Sequence, residues 1–223
     1  MKVIISGYGK MGHMVEKNLA LRNIECAGAS EDITATDPAL AKECVCIDFT
    51  TPDAFRANYR FLAENFKAVV IGTTGWNDIR EEVISYFKEC GTTMIHASNF
   101  SIGVNVFFAA SEYLSKMLAD AGGYSAYVEE KHHCHKLDRP SGTAKTIAEV
   151  VEANMGAAPD MSSVRCGEIP GIHTLGFEGI NDRITLTHEA FSREGFAAGA
   201  VEAAIRTESL EGVYEFKDII FNR

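Results

Sequence analysis

The chain has 223 residues, of which 46% are hydrophobic and 23% charged, a composition typical of a globular protein with a substantial core. Its net charge of −10 argues against nucleic acid as a partner, because nucleic-acid-binding proteins concentrate positive charge. No apolar stretch reaches membrane-spanning length, so no membrane association is expected. The first residues show the pattern of a short strand and lack the long apolar region of a signal peptide. The six cysteines include no C-x-x-C pair, which favours free thiols and a cytoplasmic location.

The first hundred residues alternate between short apolar runs and amphipathic segments. We predict strands at residues 3–5, 24–29, 45–49, 68–72 and 93–97. A helix is predicted over 10–21, another after Thr51-Pro52, where Thr51 is a good N-cap and Pro52 suits the first turn, and a third after Trp76. Apolar strands joined by helices predict an α/β fold with a parallel sheet covered on both faces.

A glycine-rich segment links the first predicted strand to the first predicted helix. Gly7, Gly9 and Gly12 form a G-x-G-x-x-G pattern, which in this context indicates a Rossmann-like dinucleotide site. The first glycine permits the tight turn, the second lets the backbone approach the pyrophosphate, and the third lets helix and strand pack closely. Glu31 follows at about the 20-residue distance where a carboxylate binds the ribose hydroxyls. An ordinary glycine turn and a surface acid are the alternatives.

Two later strand ends also carry small polar residues. The sequence GTTG stands at 72–75, and SNFSIGVN stands at 98–105. In open α/β sheets, ligands bind outside the carboxyl ends of the strands, so both segments are predicted to line the dinucleotide groove. Simple turn chemistry is the alternative for each.

The pattern changes after residue 102. A long helix is predicted over 104–118, with further helices over 143–154 and 194–207. Alternating segments at 124–131, within 172–177 and at 182–188 predict a smaller α+β domain whose mixed or antiparallel sheet has one free face. We therefore predict a dinucleotide-binding domain made of residues 1–102 and 193–223, and a second domain made of residues 103–192.

The segment 129–144 (EEKHHCHKLDRPSGTA) carries the most chemistry in the chain. Three histidines and two lysines fall within residues 131–136, and imidazole moves protons near neutral pH whereas lysine binds anions. Ser141, Gly142 and Thr143 follow at a predicted helix start, where hydroxyls and backbone N–H groups favour anions. This segment predicts proton transfer combined with carboxylate or phosphate capture.

Metal binding is the main chemical alternative for this segment. In an extended chain His132 and Cys134 share one side, and His133 and His135 share the other. Structural zinc sites usually need four converging ligands, and no second ligand pair has a familiar spacing, so no metal site is predicted. A zinc hydrolase and a nucleotide sensor without turnover remain alternatives.

Taken in order, these motifs resemble those of the dihydrodipicolinate reductase family. The matching segments are 7–12, Asp48-Phe49-Thr50, 72–75, 99–105, 132–144 and 191–201. The resemblance implies reduction of a small cyclic dicarboxylate, hydroxytetrahydrodipicolinate, to tetrahydrodipicolinate in lysine and diaminopimelate biosynthesis. It also implies NADH or NADPH as cofactor, and a homotetramer formed through the sheet of the second, substrate-binding domain. Diaminopimelate dehydrogenase and aspartate-semialdehyde dehydrogenase share such a domain plan and are the rival families.

The resemblance also implies residue roles. His132 matches the family's general acid, and Lys136 its proton-donor partner or substrate anchor. Matches to the substrate contacts are His133, Lys136, Ser141, Gly142 and Thr143, with Arg193 closing the site. Matches on the cofactor side are Gly7, Gly9, Lys10, Met11, Gly12, Glu31, Gly72, Thr73, Thr74, Asn99 and Phe100.

Two further features concern the choice between NADH and NADPH and the role of one loop. Glu31 and Asp32 favour NADH, because carboxylates accept from ribose hydroxyls and repel a 2′-phosphate, although Lys10 acts in the opposite direction. The segment 170–173 (PGIH) lacks the acidic residue that often precedes its histidine in the family, which leaves the role of that loop open.

Overall fold

The structure is a computed structural model that describes residues 1–221. The strands are β1 (Lys2–Ser6), β2 (Glu25–Ser30), β3 (Cys44–Asp48), β4 (Ala68–Ile71), β5 (Thr93–His96), β6 (Ser125–His132), β7 (Asp160–Arg165), β8 (Ile172–Glu178), β9 (Arg183–Glu189) and β10 (Val213–Glu215). The α-helices are α1 (Lys10–Leu21), α2 (Pro38–Ala41), α3 (Pro52–Asn65), α4 (Arg80–Cys90), α5 (Ile102–Ala121), α6 (Gly142–Met155), α7 (Glu194–Arg206) and α8 (Phe216–Ile220). Within residues 1–221, no helix is long and apolar enough to cross a membrane.

The chain divides into two compact units. One comprises Met1–Ile102 and the segment that begins at Glu194, and the other comprises Gly103–Arg193. The last two residues of the segment predicted as 193–223 lie outside the described residues.

The first unit is built on a six-stranded sheet in the order β10-β5-β4-β3-β1-β2, in which every neighbouring pair is parallel. Successive strand residues point to opposite faces, so Val3 and Ile5 enter one apolar cluster while Ile4 enters another. Helices α1 and α7 supply the first cluster, and α3 and α4 supply the second. The predicted Rossmann-like α/β sheet, covered on both faces, is confirmed.

The C-terminal segment completes this unit. Helix α7 places Ala197, Ala200 and Val201 in the apolar cluster that contains Val3, and β10 pairs with β5 at the sheet edge. The sequence did not predict β10, because its three residues are too short to show a period.

The second unit contains a four-stranded sheet in the order β7-β6-β8-β9. The pairs β6–β8 and β8–β9 are antiparallel, whereas β6–β7 is parallel because α6 lies between them as a crossover. Helices α5 and α6 pack on one face against Val128, Leu175 and Phe177. The predicted mixed sheet is confirmed, but β7 was missed because its apolar residues Met161 and Val164 are exposed and do not alternate.

Candidate active site

The glycine loop has the shape that a dinucleotide requires. A Cβ atom on Gly12 would lie 2.4 Å from the Gly7 carbonyl oxygen, so the loop and α1 approach more closely than any larger residue allows. A Cβ atom on Gly9 would meet nothing within 4 Å, so the backbone at the start of α1 faces open space. A helix N-terminus with exposed backbone N–H groups is a ready site for a pyrophosphate.

The loop is fastened to the end of β2. The Gly7 N–H donates to the Ser30 carbonyl oxygen at 2.9 Å, and the Tyr8 N–H donates to Glu31 Oε1 at 3.2 Å. The exposed carboxylate of Glu31 is therefore held beside the loop, whereas Asp32 turns its carboxylate to Thr34 N at 3.1 Å. Lys10 is exposed at the first position of α1.

A buried carboxylate beneath this edge of the sheet was not assigned a role from the sequence. Asp48 ends β3 with no exposed surface, and accepts hydrogen bonds from Ser6 Oγ at 2.7 Å and from the hydroxyls of Thr73 and Thr50. Burial raises the pKa of Asp48, and these hydrogen bonds oppose the increase. Asp48 thereby joins the ends of β1, β3 and β4. The signal in the sequence that could have predicted this role is an acidic residue at the end of an apolar strand.

The remaining predicted cofactor residues lie at the same carboxyl edge. Gly72, Thr73 and Thr74 follow β4, whereas Asn99 and Phe100 follow β5. Thr74 is exposed, but Thr73 is buried against Asp48 and Phe100 packs in the core against Phe216, with ring centroids 4.9 Å apart. Because the Phe100 side chain is buried in the core, only its backbone remains a predicted contact to the cofactor.

In the second unit, the histidine segment begins on β6 and continues into a turn. His132 is the last residue of β6 and is 7% exposed. The Lys136 N–H donates to the His133 carbonyl oxygen at 3.2 Å, which closes the turn over Cys134 and His135. Lys136 forms an ion pair with Asp138, with 2.8 Å between Nζ and Oδ1.

A fully buried carboxylate, Glu130, lies beneath this segment. Its Oε1 accepts hydrogen bonds from Ser163 Oγ at 2.6 Å, from Arg165 at 2.8 Å and from the Ser141 N–H at 3.1 Å. Its Oε2 lies 3.3 Å from His132 Nδ1 and 3.8 Å from His173 Nε2. Glu130 thus faces both imidazoles with one oxygen while the other is bound by three donors.

The electrostatics of this group follow from burial and from Glu130. Burial alone would raise the pKa of Glu130, but the hydrogen bonds from Ser141, Ser163 and Arg165 prevail and lower its pKa to about 2. Burial lowers the pKa of His132, an effect that the Glu130 charge partly opposes. Burial, aided by neighbouring His132, lowers the pKa of His173 to about 4. At neutral pH the group therefore consists of one carboxylate and two uncharged imidazoles.

Arg165 organises the loop that carries Lys136. Its buried side chain binds Glu130, and its guanidinium also donates to the Lys136 carbonyl oxygen at 3.3 Å and to the Asp138 carbonyl oxygen at 2.5 Å. Arg165 lies on β7, a strand that the sequence did not reveal, so no sequence signal linked it to the histidine segment.

The predicted substrate residues occupy the start of α6. Ser141 caps this helix, with Oγ accepting from the Ala144 N–H at 3.2 Å, and the same Oγ lies 3.2 Å from His173 Nε2. Gly142 is exposed with open space where a side chain would stand, and Thr143 is half-buried. Buried Ser141 and exposed Gly142 therefore present the first turn of α6 beside the imidazoles.

His133 and Arg193 complete the predicted set, and His173 lies beside it although no role was predicted for it. His133 is half-buried, and Arg193 is exposed at the end of the second unit. His173 belongs to the segment whose role the sequence left open, but the structure places it on β8, with its ring centroid 5.0 Å from that of His132. The structure therefore brings His132, Ser141 and His173 together. For Arg193 it gives a place at the end of the second unit but no hydrogen bond or ion pair with these residues.

Family models match nearly the whole chain. The model described as dihydrodipicolinate reductase, N-terminus, matches residues 1–100, and that described as dihydrodipicolinate reductase, C-terminus, matches residues 103–220. The chain belongs to this family.

Individual relatives agree with the family match. The 4-hydroxy-tetrahydrodipicolinate reductase of Christiangramia forsetii is 36% identical, over 99% of this chain and 98% of that protein. The enzyme of the same name from Archaeoglobus fulgidus is 35% identical, over 99% of this chain and 100% of that protein. A dipicolinate-bound dihydrodipicolinate reductase from Paenisporosarcina sp. TG-14 has the same fold, with a TM-score of 0.81, 21% identity and coverage of 98% of this chain and 99% of that chain.

Membership of the dihydrodipicolinate reductase family settles several expectations. The predicted family is confirmed, and the chain is an NAD(P)H-dependent oxidoreductase of lysine and diaminopimelate biosynthesis that uses a nicotinamide dinucleotide and a small-molecule substrate. The match of both halves decides against the two rival dehydrogenase families.

Proposed function

We propose that this reductase forms tetrahydrodipicolinate through the buried group of His132, Glu130 and Ser141. When bound, a nicotinamide dinucleotide would supply a hydride to the conjugated ring of the substrate, from which water would be lost before or during reduction. Electron density then accumulates on the ring, and a nearby proton donor stabilises it. His132 is the proposed donor because it is held within 3.3 Å of the Glu130 carboxylate and belongs to the specific family motif.

The proposed substrate contacts follow from charge. The substrate carries two carboxylates, and the start of α6 offers backbone N–H groups with Ser141, Gly142 and Thr143. His133, Lys136 and Arg193 add further donors. Lys136 is paired with Asp138, so binding requires the ammonium group to exchange that partner for a substrate carboxylate.

Substrate binding also changes the protonation of His132. Burial keeps this imidazole uncharged at neutral pH, but two substrate carboxylates nearby favour its charged form and raise its pKa. The site therefore gains its acid proton as the dianion enters.

The first unit is proposed to be the dinucleotide-binding domain, and the second the substrate-binding and oligomerisation domain. The open face of Gly9, the start of α1 and the held carboxylate of Glu31 support this assignment for the first unit. The other proposed cofactor contacts are Gly7, Lys10, Met11, Gly12, Gly72, Thr73, Thr74, Asn99 and Phe100.

We expect NADH to be used at least as well as NADPH, because the Glu31 carboxylate, which accepts from the Tyr8 N–H beside the glycine loop, would repel a 2′-phosphate. Nicotinamide oxidation coupled to substrate from a dihydrodipicolinate synthase gives kcat/KM for both cofactors. The Glu31→Gln variant should gain about tenfold for NADPH relative to NADH, or ~1.4 kcal/mol. Asp32→Asn is the matched control, because Asp32 binds Thr34 instead. No turnover with either cofactor contradicts the proposed function, and a tenfold NADPH preference of the wild type contradicts the role of Glu31.

A homotetramer in the cytoplasm is the proposed assembly and location. One face of the four-stranded sheet is covered by α5 and α6, and the other carries Tyr127, Thr174 and Thr187 without a helix from this unit. The ring of Tyr127 fills the space that a side chain on Gly176 would need on that face. Analytical ultracentrifugation should give four chains per particle, and a monomer at assay concentration contradicts the proposal.

A further inference from the structure

A cluster of ligand-type side chains lies outside the group of Glu130, His132 and His173. Cys134, His135 and Glu168 are all exposed, and their Sγ, Nε2 and carboxylate oxygen atoms lie within 4.8 Å of one another. His135 Nε2 is 3.5 Å from Cys134 Sγ and 3.1 Å from Glu168 Oε1. None of the three side chains belongs to the proposed proton transfer or substrate binding.

The two separations from His135 Nε2 are within about 0.3 Å of those around a tetrahedral zinc ion. Zinc bonds are about 2.3 Å to sulfur and about 2.0–2.2 Å to nitrogen or oxygen, so tetrahedral ligands lie about 3.6 Å apart for sulfur and nitrogen and about 3.4 Å apart for nitrogen and oxygen. Thiolate, imidazole and carboxylate together form a set that zinc accepts. The side chains of His135 and Glu168 are 71% and 81% exposed, so a cation reaches them from solvent.

The backbone holds the two contributing loops together without the cation. Cys134 N–H donates to the Gly167 carbonyl oxygen at 3.0 Å, and Cys166 N–H donates to the His132 carbonyl oxygen at 2.9 Å. Gly167 has a φ of +54°, a left-handed conformation that favours glycine and turns the chain directly before Glu168. The ligands therefore come from two segments whose approach is already fixed, which lowers the entropic cost of binding.

We propose that Cys134, His135 and Glu168 bind one thiophilic divalent cation of the zinc type, with water as the fourth ligand. The bound cation joins the turn after β6 to the loop after β7.

Cobalt is the probe for this site, because a thiolate bound to Co²⁺ gives a charge-transfer absorption. Chelator-treated, full-length protein is titrated with Co²⁺, and Zn²⁺ is then added to displace it. We expect one Co²⁺ per chain, loss of the thiolate absorption in Cys134→Ser, and at least tenfold weaker binding in His135→Gln and Glu168→Gln.

Two exposed cysteines provide matched controls. Cys166→Ser alters the neighbouring loop and Cys90→Ser alters α4, and both should retain the wild-type titration. Thiolate absorption that persists in Cys134→Ser, or binding that is unchanged in both His135→Gln and Glu168→Gln, would overturn the site. Loss of the absorption in Cys90→Ser would overturn it as well.

One consequence for turnover rests on the proposed function. Cys134 stands two residues after His132 and two before Lys136, so a bound cation fixes the turn that must release Lys136 from Asp138. Saturating Zn²⁺ should lower kcat of the wild type at least threefold and leave Cys134→Ser unaffected. Co²⁺ binding with unchanged turnover would overturn this consequence alone. A metal-free wild type without turnover would contradict the proposed function, while the cobalt titration still decides the site.

Discussion

Replacing His132 or Lys136 by alanine should lower kcat by ~10²–10⁴-fold, the usual contribution of a positioned proton donor. NADH binding, measured by fluorescence titration, should stay near the wild-type value, because neither residue belongs to the proposed dinucleotide-binding unit. The double variant should lose much less than the product of the two single effects, since both residues act on one transition state.

The matched control for these variants is His135→Gln in metal-free buffer. His135 is the next histidine along the chain, but it is exposed and has no place in the proposed proton transfer. Its kcat should stay within about twofold of the wild type. Near-normal turnover in both His132→Ala and Lys136→Ala would remove the proposed catalytic roles.

Replacing Glu130 by glutamine should cost about 3–5 kcal/mol of the free energy of unfolding, because it leaves the buried guanidinium of Arg165 without its counter-charge. The change should also lower the pKa of His132, since the Glu130 charge raises it. If activity needs the protonated form of His132, the alkaline limb of the pH profile of kcat/KM should then shift to lower pH.

The neighbouring Glu129 is the matched control. It pairs with Lys131 at 2.9 Å, but its side chain is 35% exposed, so Glu129→Gln should cost less than about 1 kcal/mol. Urea unfolding compares the two variants. If Glu130→Gln and Glu129→Gln have equal free energies of unfolding and the alkaline limb does not shift, then Glu130 neither stabilises the loop through Arg165 nor raises the pKa of His132.

The lowered pKa of Glu130 predicts how the free energy of unfolding depends on pH in acid. The unfolded carboxyl binds a proton near its ordinary pKa of 4.5, whereas the folded one does so only at about 2, so the unfolded state holds more protons between these values. The stabilisation from Glu130 is fully present above pH 4.5 and is lost as the pH falls through about 2. Glu130→Gln should lack this part of the pH dependence of unfolding.

The sequence predicted most of the architecture, because its signals are local. The apolar run at 45–49 and the glycine loop at 7–12 identify strand, turn and helix without knowledge of distant residues. In contrast, β7 and β10 exist through pairing with β6 and β5, and their own residues carry no clear period.

The candidate site likewise combines residues that a local motif predicts with residues that only strand pairing brings together. His132, Lys136 and Ser141 lie within ten residues of one another and form a readable motif. Arg165 and His173 come from other strands, and only the parallel β6–β7 and antiparallel β6–β8 pairings bring them to Glu130. The sequence alone offers no means to pair a buried arginine with a glutamate 35 residues away.

The discontinuous first unit has a consequence for synthesis on the ribosome. Part of one face of the parallel sheet is covered by Ala197, Ala200 and Val201 of α7, beside α1, and the edge of β5 is paired only when β10 arrives. Until then, a nascent chain that has emerged past residue 102 presents an apolar face and an unpaired strand edge, both of which promote aggregation. The sequence from 103 to 193 must be translated before this protection exists, so the order of synthesis, and not only the final contacts, determines how long the apolar face and the strand edge stay uncovered.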